Sequence, residues 1–296
     1  MAHEKPSVRL AFLGCGHIGK ALLGAILPSV AQPDSPVSEI TVAVSRQESQ
    51  AQLQHIYHDT AAPVHFVYNG NVQTAKQADA VILAFPPEEI RAILTAPGMK
   101  EALEDKIIIS ILARTPRAEI ERLVQSNPGR SDCSPVRDVQ IIRAMPSIGT
   151  AAREAATFIA KLEGPAVQSK GMEITTWMFN SVGKVFHVSD DHFDTITGMC
   201  AFSNALIATA IKSIALRTSA EGVPLEQAIV ISAQCIRGSL ALILSGTSLE
   251  QLQASLSAPG SITGQAIQGL QDRQLEVFIE PTLSVSLNRA REYDTE

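Results

Sequence analysis

An apolar run, "VRLAFLG" (8–14), passes directly into the glycine pattern Gly14-Cys15-Gly16-His17-Ile18-Gly19. From there the chain enters "GKALLGAIL" (19–27), whose apolar residues recur at helical spacing. A strand, a tight glycine turn and a helix in that order leave few folds open. Gly14 can make the turn, Gly16 lets an anion approach the backbone, and Gly19 lets the helix lie close on a sheet. The N–H groups at the helix start favour a phosphate. The expectation is a pyrophosphate-binding turn built from Gly14, Gly16, His17, Ile18 and Gly19.

Beyond the turn the chain keeps the same grammar. Strands are expected at "EITVAVS" (39–45), "VHFVY" (64–68), "DAVILAF" (79–85), "KIIISILA" (106–113) and "VQIIRAMP" (139–146). Helical segments such as "ESQAQLQHIYH" (48–58) and "PRAEIERLV" separate them. Nearly continuous apolar strands alternating with helices imply a parallel sheet covered on both faces. Two Pro- and Ser-rich inserts, 28–39 and 125–138, read as surface loops, and "GKVFHVSDDHFD" (183–194) adds one more strand and a polar stop. After about residue 190 the pattern becomes wholly helical. One long helix rich in small residues ends at Gly222, and a second runs between Pro224 and Gly246. "SLEQLQASL" and the stretch from "TGQAIQGL" to "NRARE" complete this half. Helices apolar on most faces bury them against something, and here a second subunit is the expected partner. The fold class is therefore α/β. A Rossmann-type dinucleotide-binding domain over 1–189 precedes an all-helical dimerisation and substrate domain over 190–296.

Composition removes other classes. The 296 residues are 45 % hydrophobic and 18 % charged, enough for a large core. The net charge of −6 and pI near 5.7 argue against a nucleic-acid or anionic-membrane partner. The N-terminal "MAHEKPSVRL" has no apolar signal core, and runs such as "AVILAF" are too short to span a bilayer, so a cytoplasmic protein is expected. The four cysteines, Cys15, Cys133, Cys200 and Cys235, are widely spaced and read as reduced thiols. His55 and His58 beside Asp59 read as a solvated helix face, and no metal site is expected.

The tip of the second strand selects the cofactor. An Asp or Glu there would receive the ribose hydroxyls of NAD, but this chain offers Ser45, Arg46 and Gln47. A hydroxyl and a guanidinium suit a 2′-phosphate, so the cofactor is expected to be NADPH.

At this point the chain resembles the pyrroline-5-carboxylate reductase family over nearly its full length. "LAFLGCGHIGKALLGAI" is similar to the family's start and "VSRQESQAQL" to its NADPH-selecting turn. "IIRAMPSIGT" is similar to its "RvMPNtPa" segment, and "LSAPGSITGQAIQGL" to "vcsPGGTTiagl". The resemblance implies NADPH-dependent reduction of a cyclic imine by a homodimer or higher homo-oligomer formed through the C-terminal helices. It also adds Ala84, Pro86, Met145 and Pro146 to the cofactor-binding set.

The segments that the resemblance assigns to substrate depart from the family. Phe202 takes the Ser position of "GSGPAY", followed by Ser203 and Asn204, and Ser261, Ile262 and Thr263 replace the "GTT" of "PGGTT". Ser147, Ile148 and Gly149 replace Asn-Thr-Pro, and Pro86 stands where the family commonly has Lys. Phe202, Ser203, Asn204, Ser261, Ile262 and Thr263 are the expected substrate contacts. Ser203, Asn204 and Thr263 are the expected catalytic set, with Ser147 a lesser candidate. A pocket with fewer hydroxyls and more apolar surface suits a larger or less carboxylate-dependent imine, as in specialised metabolism. Two alternatives stand beside this reading: an ordinary proline-forming reductase, and an NADPH-binding non-redox or regulatory protein. A β-hydroxyacid dehydrogenase fits less well, because Asn204 and Lys212 are eight residues apart rather than four. The cluster Asp190, Asp191, His192 and Asp194 reads as a cap and first turn for the long helix rather than as a proton donor.

Overall fold

A computed structural model describes residues 7–125, 139–162 and 169–292. The chain begins β1 (Val8–Leu13), α1 (His17–Val30), β2 (Val37–Val44), α2 (Gln47–Ile56), β3 (Val64–Tyr68), α3 (Asn71–Gln77) and β4 (Ala80–Leu83). It continues through α4 (Ile90–Leu94), α5 (Met99–Ala102), β5 (Ile107–Ser110), α6 (Arg117–Gln125) and β6 (Gln140–Pro146). Then come β7 (Ala155–Ala160), α7 (Lys170–Asn180) and β8 (Gly183–Val188). The last five elements are the helices α8 (Asp190–Ser219), α9 (Leu225–Leu244), α10 (Leu249–Leu256), α11 (Ile262–Asp272) and α12 (Leu275–Arg291).

The eight strands form one sheet in the order β3-β2-β1-β4-β5-β6-β7-β8. The pairs from β3 to β6 are parallel, as the alternating pattern requires; β6 and β7 are antiparallel, and β7 and β8 are parallel again. Apolar side chains leave both faces of the sheet. One core gathers Leu10, Phe12, Ile40 and Ile82 under Leu22, Ile26 and Phe179 of α1 and α7. The other gathers Leu13, Val81, Leu83 and Ile108 under Met99, Ile120 and Leu123 of α5 and α6.

Three expectations need correction. The first insert is not all loop: α1 runs to Val30 with Pro28 inside it, and β2 begins at Val37. Leu27 and Val30 are buried, so packing of the helix's last turn outweighs the hydrogen bond that proline cannot donate. The stretch 151–182, for which the sequence pattern predicts no strand or helix, holds β7 and α7. Ser169 caps α7, its hydroxyl accepting from the Met172 N–H at 3.2 Å. The last helical stretch is two helices, broken at Gln274, a non-glycine residue with φ of 52°. The second insert beyond Gln125, with Cys133, lies outside the described residues.

By internal packing the chain divides into two compact units. One runs to Thr197 and takes in the chain from Ala290 onward; the other is Gly198–Arg289. The second has little core of its own: among its described residues, the buried apolar side chains are Ala215 and Ala228 alone. Leu206, Ile207, Ile214 and Leu216 of α8 are exposed, as are Ile229, Val230, Ile231, Leu240, Leu242 and Leu244 of α9. By length and composition α8 and α9 could cross a membrane. Unbroken apolar runs do not reveal this, because Thr, Ser and Ala interrupt the runs while the mean stays apolar.

Gly183, at the start of β8, has φ of 153°, and a Cβ there would lie 2.1 Å from the Ala155 carbonyl oxygen and 2.4 Å from its nitrogen. Neither backbone atom can retreat without breaking the β7–β8 pairing. Gly183→Ala is expected to cost about 3 kcal/mol. The urea midpoint would fall with its slope unchanged.

Candidate functional site: a dinucleotide crevice

The carboxyl ends of β1, β2, β3 and β4 meet around the glycine turn. Gly14 donates its N–H to the Ala43 carbonyl of β2 at 2.8 Å, and Ala84 donates to the Leu13 carbonyl at 2.9 Å. The three glycines serve different ends. Gly14 has φ of 79°, and a Cβ would lie 2.8 Å from Phe85 Cβ and 2.9 Å from the Ala84 carbonyl oxygen, so both conformation and space demand glycine. At Gly19 a Cβ would sit 3.3 Å from that of Ala84, the close helix-to-sheet contact expected. Gly16 is different. Its φ of −72° suits any residue. A Cβ there would have the Ala84 carbonyl oxygen, at 3.9 Å, as its nearest neighbour. Nothing inside the protein requires glycine at 16, whereas an anion seated on the backbone would.

The start of α1 agrees. Its cap is Gly16, which offers no side-chain oxygen, and the first turn has no acidic residue. The N–H groups at this end therefore lack a side-chain cap and face the crevice side, where a phosphate is favoured by their partial charge. The crevice is lined by Gly14, Gly16, Ser45, Arg46, Ala84 and Pro86, all named from sequence. Arg46 is the cap residue of α2, exposed beside Ser45.

Sequence reasoning missed Ser49, Asn71, Glu89 and Ile93, which line the same crevice. Asn71 follows β3 as Ser45 follows β2, so the carboxyl-end rule for parallel sheets could have found it. Met145 and Pro146 end β6, two strands beyond β4, and His17, Ile18 and Gly19 form the first turn of α1.

Cys15 lies between Gly14 and Gly16, buried against the crevice floor. Burial pushes its thiol up to about 12, with Lys20 pulling weakly the other way. It is therefore a neutral packing group at any physiological pH.

The remaining sequence candidates lie in the second compact unit or on the β6–β7 turn. Ser203 donates to the Met199 carbonyl at 2.9 Å, and Asn204 Nδ2 lies 3.7 Å from Cys200 Sγ. Ser261 caps α11, accepting from Gly264 N–H at 2.9 Å, with its oxygen 3.2 Å from that of Thr263. Ile262, in the first turn of α11, is 89 % exposed, and Phe202 is partly buried. Phe202–Asn204 thus stand on α8 and Ser261–Thr263 at the head of α11. Ser147 closes the β6–β7 turn, its hydroxyl accepting from Ala156 N–H at 3.0 Å. Asp190 and Asp194 are ion-paired to a buried residue that the sequence pattern does not single out, Arg143.

A phosphate-ready glycine turn on a doubly covered sheet, followed by helices that need a second surface to cover them, defines a nucleotide-dependent oxidoreductase that assembles from copies. Sequence comparison agrees for both parts. The profile described as "Pyrroline-5-carboxylate reductase dimerisation" matches residues 190–293, and that described as "NADP oxidoreductase coenzyme F420-dependent" matches 9–114. A delta-1-pyrroline-5-carboxylate reductase of Curvularia clavata is 29 % identical over 311 residues, covering 97 % of each chain. A pyrroline-5-carboxylate reductase of Lophium arboricola is 28 % identical over 92 % of this chain and 88 % of its own. Among solved structures, the Plasmodium falciparum pyrroline carboxylate reductase with NADP bound shares the fold, with a TM-score of 0.77 and 18 % identity over 97 % of this chain and 98 % of its own. The chain is thus similar to pyrroline-5-carboxylate reductases over nearly its full length, and residues 190–293 match their dimerisation region. The apolar faces of α8 and α9 fall within the dimerisation match, which accounts for their hydropathy.

At pH 8 a thiol titrating near 12 holds roughly a thousandfold less thiolate than one titrating at its ordinary 9.0. Alkylation of Cys15 by iodoacetamide, followed by mass spectrometry, is expected to be at least a hundredfold slower than that of free cysteine.

Proposed function

We propose that this chain is an NADPH-dependent reductase of cyclic imines whose substrate is larger or less carboxylate-dependent than pyrroline-5-carboxylate. The observation that carries the cofactor half is Gly16, a glycine that the protein's own packing does not need, at the mouth of a crevice bearing Ser45 and Arg46. Gly14, Gly16 and the α1 N-terminus would hold the pyrophosphate, and Ser45 and Arg46 the 2′-phosphate. When bound, the nicotinamide supplies the hydride that an electrophilic C=N carbon accepts. The protein's task is to orient the imine and exclude water, with Phe202, Ser203, Asn204, Ser261, Ile262 and Thr263 as its substrate-directed residues.

The substrate half rests on the same residues. Ile262 in place of a threonine, and Phe202 in place of a serine, put bulky apolar groups where two hydroxyls stood, while Ser203 and Ser261 in place of glycines move hydroxyls to the neighbouring positions. A site with its polar partners moved and apolar bulk added discriminates less against apolar imines and receives a small carboxylate less well. The nearly coreless helical unit supports a homo-oligomer, since its exposed apolar rows need another copy to cover them.

Two measurements test this reading. Arg46→Ala is expected to weaken NADPH binding at least tenfold and NADH binding less than twofold in fluorescence titrations; equal losses would remove Arg46 from the phosphate site. In a steady-state assay at 340 nm, pyrroline-5-carboxylate is expected to be reduced poorly and a bulkier, uncharged cyclic imine well. Robust turnover of pyrroline-5-carboxylate at a micromolar to millimolar KM would establish the ordinary proline-forming activity instead. Tight NADPH binding without turnover of any imine would establish the non-redox reading.

A further inference from the structure

Arg143 is 3 % exposed, an arginine buried in mid-strand, and neither the crevice nor the substrate-directed segments account for it. Its place in the sheet is fixed by register. Leu13, Leu83, Ser110 and Arg143 are successive partners across β1, β4, β5 and β6. Arg143 therefore lies on the row where β1 gives way to Gly14, two residues before Met145 and Pro146. Its side chain runs to the start of α8. Nη1 donates to Asp190 Oδ1 at 3.0 Å, and Nη2 donates to Asp194 Oδ1 at 2.7 Å. The guanidinium carbon stands 4.2 Å from the centroid of the buried Phe193 ring.

Residues 190, 193 and 194 share one face of the helix. Contacts to all three fix the helix's rotation about its own axis as well as its position. A planar fork can hold two carboxylates and stack on a ring at once, which an ammonium cannot. A buried ion cluster adds little net stability over apolar packing of the same volume, so its value here is geometric. α8 is continuous from Asp190 to Ser219, and Phe202, Ser203 and Asn204 follow between two and three turns beyond Asp194 on the same helix.

We propose that Arg143 is a positioning residue for imine reduction, fixing from the strand that ends in Met145 and Pro146 the rotation of the first turns of α8, the helix that also carries Phe202, Ser203 and Asn204. This rests on the activity proposed above. The test compares wild type with Arg143→Lys, at a temperature well below both unfolding midpoints. Three quantities are read: NADPH affinity, kcat and KM for the best imine, and hydrogen exchange of the amides of α8's first two turns. The expected result is a kcat at least tenfold lower, NADPH affinity within threefold of wild type, and exchange over 190–197 at least tenfold faster. Unchanged kcat and exchange with only a lower midpoint would make Arg143 a structural staple and overturn the proposal. So would an equal loss of NADPH affinity, which would locate the damage in the sheet. If wild type reduces no imine, the proposed activity fails by itself. Exchange still decides the other question: unchanged protection over 190–197 refutes the phase-setting role, and accelerated exchange supports it.

Discussion

The close approach of β1 and β4 at Gly14 is the constraint on which the rest of the first unit depends. The left-handed turn there admits no side chain, because Phe85 and the Ala84 carbonyl already occupy the space. Turning the chain at that point delivers the uncapped end of α1 onto the sheet's rim, where β2 and β4 also stop. Ser45, Asn71 and Pro86 then arrive at one crevice because β3, β2, β1 and β4, adjacent parallel strands in that order, end at nearly the same level. The crevice is thus a property of register more than of any particular side chain.

The two compact units satisfy their apolar surface by different means. In the first, side chains on both faces of the sheet find helices within the same unit. In the second, α8 and α9 leave whole rows of leucine, isoleucine and valine uncovered. Covering those rows with another copy would couple the stability of this unit to assembly. The substitutions fall on both units: Pro86 and residues 147–149 in the first, and the changed residues at 202 and 261–263 on helices of the second.

Much of this is legible in sequence because it depends on local grammar. The strands β1 to β6 carry largely apolar runs, the glycine spacing fixes the turn, and Arg46 stands at the tip that a parallel sheet presents to ligand. What escapes has physical reasons. "AATFIA" (155–160) sets Phe158 and Ile159 among small residues without alternation, and its strand pairs with β6 and β8 on either side. The break at Gln274 lacks the glycine that normally announces a left-handed residue. Arg143 sits in a segment whose sequence draws attention only to Met145 and Pro146, while its partners are 47 and 51 residues further on. The acidic cluster at 190–194 reads from sequence as complementing a helix dipole; burial of an arginine opposite gives Asp190 and Asp194 specific partners.

The reversal at β7 also bears on how such a sheet is assembled in time. Each parallel pair must close a crossover, and β1 with β4 joins Leu10 to Ala80, about seventy residues apart. The β6–β7 hairpin joins Ala144 to Ile159, about fifteen apart, and Ser147 ties its ends within the turn itself. Loop-closure entropy grows with that separation, and non-local pairings carry most of the kinetic barrier. The hairpin therefore closes at a smaller entropic cost than the β1–β4 crossover. The segment that bears Ser147 and Ile148 thus takes its shape from short-range pairing rather than from a crossover.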